Sequence, residues 1–302
     1  MTGNNVWFIS GATSGFGLSI AREALFRGDK VIASSRSATT SSKLISLSST
    51  YPSSSLLLID LDVSAPDSTI QSAFQKATDA FGPITHFINA AGYLLQGPIE
   101  GASQQEVLNT FTVNVLGNIN LIRNEIALLR PRGQEHVGVI ANFGSMASWG
   151  GGPGYAYYSA TKWAISGFTE SLYEEVAPLG IRGIVIEPGY FRTGFLSTGG
   201  GNMLRVEKQM AEEYKTTGVG GLETMLAQAN DNQPGDVAKG AKVIVDVLTQ
   251  TGVGAGREIP MRLLLGPDCV EAVRSKMART EATIKEWEHV SLGTDHEDVR
   301  KD

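Results

Sequence analysis

Val6-Trp-Phe-Ile-Ser10-Gly11-Ala-Thr-Ser14-Gly15-Phe-Gly17 is the stretch that decides the fold. Residues 6–10 are a short apolar run and predict a buried strand. Residues 18–28 follow with apolar positions at helical spacing. Gly11, Gly15 and Gly17 therefore stand between a strand and a helix. A tight turn at that place brings backbone against a pyrophosphate at the positive end of the helix. The spacing is G-x-x-x-G-x-G, not the common G-x-G-x-x-G fingerprint. A glycine-rich turn alone specifies little; its place in the first strand-to-helix turn is what points to a dinucleotide.

The alternation continues outward from this turn. Further strands are predicted over 30–34, 56–61, 86–89, 137–143, 182–187 and 257–265. Helices are predicted over 67–81, over 104–130 with a break near Gly117, and over 157–177. Two more run from 236 to about 250, with Asp236 as N-cap, and from 268 to about 290. This pattern predicts one doubly wound, Rossmann-type α/β domain over residues 1–302. Its parallel sheet has about seven strands with helices on both faces. Ligands of such folds bind beyond the carboxyl ends of the strands. Gly11, Gly15, Gly17, Arg36, Asp62, Asn89, Gly92, Ser145, Pro188, Gly189 and Thr193 all follow strands and so share one edge.

The edge carries the chemistry. Ser34-Ser35-Arg36-Ser37 ends the second strand without a carboxylate. An acid there would hold a ribose 2′-hydroxyl and favour NAD; Arg36 suits the 2′-phosphate of NADP. Asp62 either caps the next helix or meets the adenine edge. Tyr158 and Lys162 are four positions apart on one helix face. A cation beside a phenol favours the phenolate, so Lys162 is expected to lower the Tyr158 pKa and make it a proton-transfer group. Ser145 brings a hydroxyl to the same place. Tyr155 and Tyr157 fall off that face and are expected at the pocket mouth or in the core.

Composition excludes other classes. Of 302 residues 42% are hydrophobic, and the net charge is −6 with no Lys/Arg cluster, which argues against nucleic acid or an anionic membrane as partner. The beginning of the chain has no signal-type segment, and no apolar run is long enough to span a bilayer. The single cysteine, Cys269, excludes an internal disulfide and fits a reducing, cytoplasmic location with a buried or neutral thiol. His86, His136, His289 and His296 are scattered, so no metal site is expected. In 194–235, Gly199-Gly-Gly201 and Gly218, Gly220 and Gly221 flank Met203, Val206, Met210 and Tyr214 at near-helical spacing. That predicts an amphipathic helix acting as a mobile lid, and Phe195, Leu222, Met225 and Leu226 predict an apolar substrate beneath it. Residues 293–302 are a polar tail.

The ordered set of motifs over 5–193 resembles the classical short-chain dehydrogenase/reductases. It consists of Ser10-Gly11-x-x-x-Gly15-x-Gly17, Asp62-Val63, Asn89-Ala-Ala-Gly92, Asn114, Ser145, Tyr158-x-x-x-Lys162 and Pro188-Gly189 with Thr193. The ending, Pro260-Met-Arg-Leu-Leu-Leu-Gly266 and Glu286-Trp-Glu-His-Val-Ser-Leu-Gly-Thr-Asp295, resembles the hydroxysteroid-dehydrogenase-like branch, which does not establish a steroid substrate. The resemblance implies Tyr158 as acid/base, Lys162 as holder of the nicotinamide ribose, and Ser145 as the group orienting the substrate oxygen. It implies Asn114 on a water-linked proton path near Lys162, the three glycines as the pyrophosphate turn, and Thr193 as a further cofactor contact. Ser14 stands where many NADP-preferring members carry a basic residue, so Arg36 has only hydroxyl help and NAD(H) stays open beside NADP(H). Asn89-Ala90 replaces the more usual Asn-Asn. The implied activity is an NADP(H)-dependent oxidoreductase interconverting a ketone or aldehyde and an alcohol on an apolar small molecule. The alternatives are a redox-neutral isomerase, dehydratase or cyclase on the same fold, or a non-catalytic cofactor-binding protein. Analogy implies a homodimer or homotetramer paired through the helices at 104–130 and 157–177.

Overall fold

The computed structural model describes residues 5–130, 138–196 and 202–296. Its first half runs β1 (Val6–Ser10), α1 (Gly15–Phe26), β2 (Lys30–Ser35), α2 (Ser42–Ser48), β3 (Leu56–Asp60), α3 (Asp67–Phe81) and β4 (His86–Asn89). After β5 (Leu94–Gln96), α4 (Gln104–Phe111) and α5 (Asn118–Leu129) are joined by a π-helical stretch, Thr112–Gly117. Then come β6 (Gly138–Phe143), α6 (Ala156–Val176), β7 (Ile181–Pro188), β8 (Met203–Arg205), α7 (Glu212–Lys215) and α8 (Gly218–Ala229). The order ends with α9 (Val237–Leu248), β9 (Arg262–Leu265) and α10 (Pro267–Ser291).

Seven strands form one sheet in the order β3-β2-β1-β4-β6-β7-β9, every neighbouring pair parallel. Strand order reverses between β1 and β4, and that reversal opens a crevice at the carboxyl edge. Helices cover both faces, which is why β1 is apolar along most of its length rather than alternating. Trp7 and Ile9 pack on one face with Ile20, Ala24 and Ile244. Phe8 packs on the other, with the Phe74 ring edge-on at 4.8 Å.

Several expectations change here. Residues 203–214 do not form the predicted helix. Met203–Arg205 is β8, paired in parallel with β5 through Leu94↔Met203, Leu95↔Leu204 and Gln96↔Arg205. Met203 buries its side chain with Leu94, Leu222 and Leu226, and that tertiary contact with strand pairing overrides the local spacing. Helix begins only at its end, in the four-residue α7, and the longer helix is α8, later in the chain. The last strand is shorter than 257–265, beginning at Arg262. The break expected near Gly117 is the π-helical stretch. Asp62 does not cap α3, whose N-cap is Pro66; its Oδ1 accepts from the Ser64 amide (2.9 Å) and hydroxyl (2.6 Å). His136, Val137, Gly199, Gly200, Gly201 and residues 297–302 lie outside the described residues. Among the described residues, no helix is long and apolar enough to cross a membrane.

Asn89 ends β4, but its side chain turns into the core. Its Nδ2 donates to Asn142 Oδ1 (3.0 Å) and Glu125 Oε2 (3.1 Å), and Asn142 Nδ2 donates to Thr169 Oγ1 (3.0 Å). This chain ties β4, α5, β6 and α6 together. Glu125 is fully buried with Oε1 unpartnered, and burial raises its pKa to about 8 against a partial offset from Asn89. The folded carboxyl therefore binds its proton more tightly than the unfolded one. Its contribution to stability is complete below the unfolded value of 4.5 and is lost as pH rises through about 8. Relative to Glu125→Gln, the natural protein is expected to lose urea resistance between pH ~5 and ~8.5. A gap between the two urea midpoints that stays constant over that range would show that Glu125 does not titrate there.

Candidate active site

The glycine turn is shaped by close approach. Gly11 has φ +68° and lies so near the next strand's turn that a Cβ would sit 2.8 Å from the Ala90 backbone. A Cβ on Gly17 would overlap the Gly11 carbonyl. These contacts draw the β1 and β4 turns together beneath the start of α1. Ser14 is the extended N-cap of α1 and makes no side-chain cap bond; its hydroxyl accepts from Asn202 Nδ2 at 3.3 Å. The first-turn amides of α1 thus face the crevice uncapped by a side chain, which fits a pyrophosphate.

A cavity of about 500 Å³ runs along the carboxyl edge of the sheet. One end is bounded by Arg36, Asp62 and Val63. Arg36 makes no ion pair among the described residues. The neighbouring Asp60 is engaged elsewhere, accepting from the Thr39 amide (2.9 Å) and hydroxyl (2.5 Å). The middle is lined by Gly11, Gly15, Gly17 and Gly92, with Pro188, Gly189 and Thr193 across from them. Asp268, in the first turn of α10, fixes the latter turn by accepting from the Tyr190 amide at 2.6 Å. The Asn89 side chain does not reach this cavity; its neighbours Ala90, Ala91 and Gly92 do.

Beyond the turns lie Ser145, Tyr158 and Lys162. Ser145 follows β6 and caps a short 3-10 turn, its Oγ accepting from the Ala147 amide at 3.1 Å. Its hydroxyl and Tyr158 line the same cavity. Lys162 is buried, donates from Nζ to the Phe143 carbonyl at 2.7 Å, and holds that nitrogen 5.7 Å from the Tyr158 ring centre. Asn114 sits in the π-helical stretch, a backbone form common at functional sites. Its Nδ2 donates to Tyr93 O (2.8 Å) and Thr161 Oγ1 (3.2 Å), and its Oδ1 accepts from the Tyr93 amide (3.0 Å). Asn114 and Lys162 approach the same point beside Gly92.

The net shift at Tyr158 is upward, and its cause is burial rather than Lys162. Burial pushes the Tyr158 phenol up to about 12, offset in part by Ser145, and pushes Lys162 down to about 8. Desolvation disfavours both charged forms, and the ammonium is directed at a carbonyl rather than at the phenol oxygen. Tyr157 leaves the site altogether, its hydroxyl donating to Ile99 O at 2.9 Å, whereas Tyr155 lines the cavity. Cys269 is buried, its thiol donating to Glu187 O at 3.2 Å and raised to about 12 by burial, so it is inert.

Sequence reasoning missed Leu94, Tyr190 and Asn202, and also Ala272, Ser275, Lys276 and Arg279 on α10. The last four have helical spacing, but only the packing of α10 shows that this face meets the cavity.

The short chain dehydrogenase family profile matches residues 5–200. The oxidoreductase BOA17 of Botryotinia fuckeliana (strain B05.10) is 30% identical over 289 residues, covering 96% of this chain and 98% of that protein. The crystal structure of a short-chain dehydrogenase from Streptomyces avermitilis superposes with a TM-score of 0.84 at 32% identity, covering 97% of this chain and all of that one. A short chain dehydrogenase/reductase from Burkholderia phymatum, solved in complex with NAD, shares the fold with a TM-score of 0.78 at 22% identity, over 93% of this chain and 95% of that one. With the family matched over 5–200 and relatives of 30% and 32% identity covering nearly the whole chain, the chain belongs to the short-chain dehydrogenase family and is an oxidoreductase.

Proposed function

We propose that this oxidoreductase interconverts a ketone or aldehyde and an alcohol on an apolar small molecule, with NADP(H) as its preferred cofactor. The observation that carries this reading is the convergence of Ser145, Tyr158 and Lys162 at one end of a cavity whose other end holds Arg36. In this reading Gly11, Ser14, Gly15 and Gly17 hold the pyrophosphate, Arg36 the 2′-phosphate, and Asp62 and Val63 flank the adenine. Ala90, Ala91 and Gly92, with Pro188, Gly189 and Thr193, enclose the middle of the dinucleotide. Bound there, the nicotinamide supplies or accepts the hydride. Ser145 orients the substrate oxygen. Tyr158 gives that oxygen its proton in reduction and takes it in oxidation. Lys162 holds the ribose, and Asn114 keeps the Tyr93 backbone and Lys162 in register. The segment 194–235 acts as the substrate lid, a role supported by Leu222 and Leu226, which cover the cavity together with Phe195. Membership of the hydroxysteroid-dehydrogenase-like branch and assembly as a homodimer or homotetramer belong to the same proposal.

Tyr158→Phe is expected to cut turnover by about 10²–10⁴-fold, as loss of a general acid/base does, while NADPH still binds by fluorescence titration. Near-normal turnover in that variant would sink the assignment, and product formation without change in nicotinamide absorbance would transfer it to the redox-neutral class. Arg36→Leu is expected to narrow the NADPH-to-NADH ratio of kcat/KM by about tenfold, the scale of a charge-assisted hydrogen bond. A natural enzyme that already prefers NADH would refute the cofactor choice.

A further inference from the structure

Beyond the lid, the substrate end of the cavity is bounded by α10. Ala272, Ser275, Lys276 and Arg279 form one stripe of that helix, and all four line the cavity. Ala272 and Lys276 are half-buried along the stripe, and Ser275 and Arg279 are exposed. Lys276 Nζ rests 5.8 Å from the centre of the Trp163 ring, a contact that positions an ammonium without neutralising it. Neither Lys276 nor Arg279 pairs with a carboxylate among the described residues.

Glu170 and Glu187 are engaged elsewhere. Arg262 donates to Glu187 (2.6 Å) and Glu170 (2.8 Å), and Trp149 Nε1 donates to the other Glu187 oxygen at 2.8 Å. Glu281 stands off the stripe and faces Lys285 at 3.4 Å. Asp62 is the sole carboxylate on the cavity wall among the described residues, and it lies at the opposite end, after β3. The two cations are not a second site for the cofactor's 2′-phosphate. Arg36 follows β2 and α10 follows β9, five strand spacings apart in the sheet and so separated at their roots by roughly 24 Å. The chain is acidic overall, at −6, yet this end of its cavity is positive. A concave low-dielectric surface lined by one sign of charge concentrates ligands of the other.

We infer that the substrate is amphipathic: a carbonyl or alcohol between Ser145 and Tyr158, an apolar body against Leu94, Leu222 and Leu226, and an anionic tail on Lys276 and Arg279. This inference rests on the reaction proposed above and narrows its substrate class. It makes the two cations specificity residues that touch the substrate far from the reacting carbon.

The probes are medium-chain and aryl-alkyl keto acids, each assayed with NADPH beside its methyl ester and the phosphate monoester of the same skeleton. The natural enzyme is expected to favour the anions over the ester by about tenfold or more in kcat/KM, and the better anion identifies the tail. In Lys276→Gln/Arg279→Gln the anion-to-ester ratio is expected to fall close to one; as a ratio within one preparation it is insensitive to partial loss of folded enzyme. Raised salt is expected to weaken anion turnover more than ester turnover. Calorimetric binding to Tyr158→Phe with NADP⁺ present gives the same comparison without turnover. Turnover of esters at least as good as of anions, or an unchanged ratio in the double variant, overturns the anionic tail and leaves the proposed reaction standing. Tighter calorimetric binding of anions without turnover of any probe by the natural enzyme upholds the tail and overturns the reaction. Neither binding nor turnover overturns both.

Discussion

Lys162 is a buried cation that pairs with no carboxylate among the described residues, and much of the site follows from how it is held. An ammonium out of water is costly unless its hydrogens find acceptors. Here the Phe143 carbonyl, the last of β6, accepts from Nζ at 2.7 Å, so α6 is fastened to the carboxyl edge of the sheet. A second set of bonds fixes the same helix from behind. Ser148 donates to the Lys162 carbonyl at 3.0 Å, and Ser166 bridges Ser148 (2.9 Å) and Glu187 (2.8 Å). Glu187 is fully buried and in turn holds Trp149 and Arg262. The turn carrying Ser145, the helix carrying Tyr158 and the strand leading to Pro188 are thereby one rigid body, and a rigid frame is what a proton-transfer group needs.

What the sequence made legible was whatever repeats or is locally forced. Strands buried on both faces read as apolar runs, and parallel order follows from their alternation with helices. The glycines at 11 and 17 are forced by backbone contacts that no side chain tolerates. Tyr158 and Lys162 share a face because helix geometry leaves no alternative. Properties set by long-range packing were illegible. Asn89 looked like a cofactor contact because it ends a strand, but its side chain was claimed by Glu125 and Asn142, residues far along the chain. Met203 read as helical because spacing was the only signal; its partner strand, β5, lies a hundred residues earlier and is three residues long. Lys276 and Arg279 looked like ordinary surface charges, because nothing local says which face of α10 meets a cavity.

The division of charge along the cavity follows the same logic. At the end after β2 and β3, Asp60 is occupied by Thr39, so Arg36 faces the cavity unneutralised. At the α10 end, Glu170 and Glu187 are held by Arg262, and Lys276 and Arg279 have no carboxylate partner among the described residues. In both places the internal pairing of a carboxylate leaves a cation free to meet a ligand. A cofactor and a substrate bound end to end, with an anionic group at each extreme of the pair, match that pattern.

The perturbed pair at the centre also has a definite direction. Taken separately, burial keeps the proton on Tyr158, at about 12, and draws it off Lys162, at about 8. Taken together the outcome differs. With a neutral phenol beside it, the Lys162 ammonium is a lone buried charge. In the reaction proposed above Tyr158 gives its proton to a substrate oxygen; the phenolate then faces that ammonium, which is 5.7 Å from the ring centre, and the lone charge gains an opposite one. Opposite charges at such range in a dry site attract far more strongly than in water. The desolvation that makes each charged form costly alone thus favours forming the second charge when the first is present. Loss of the Lys162 charge removes that incentive, so under the proposed reaction the lysine takes as much part in the proton transfer as the tyrosine.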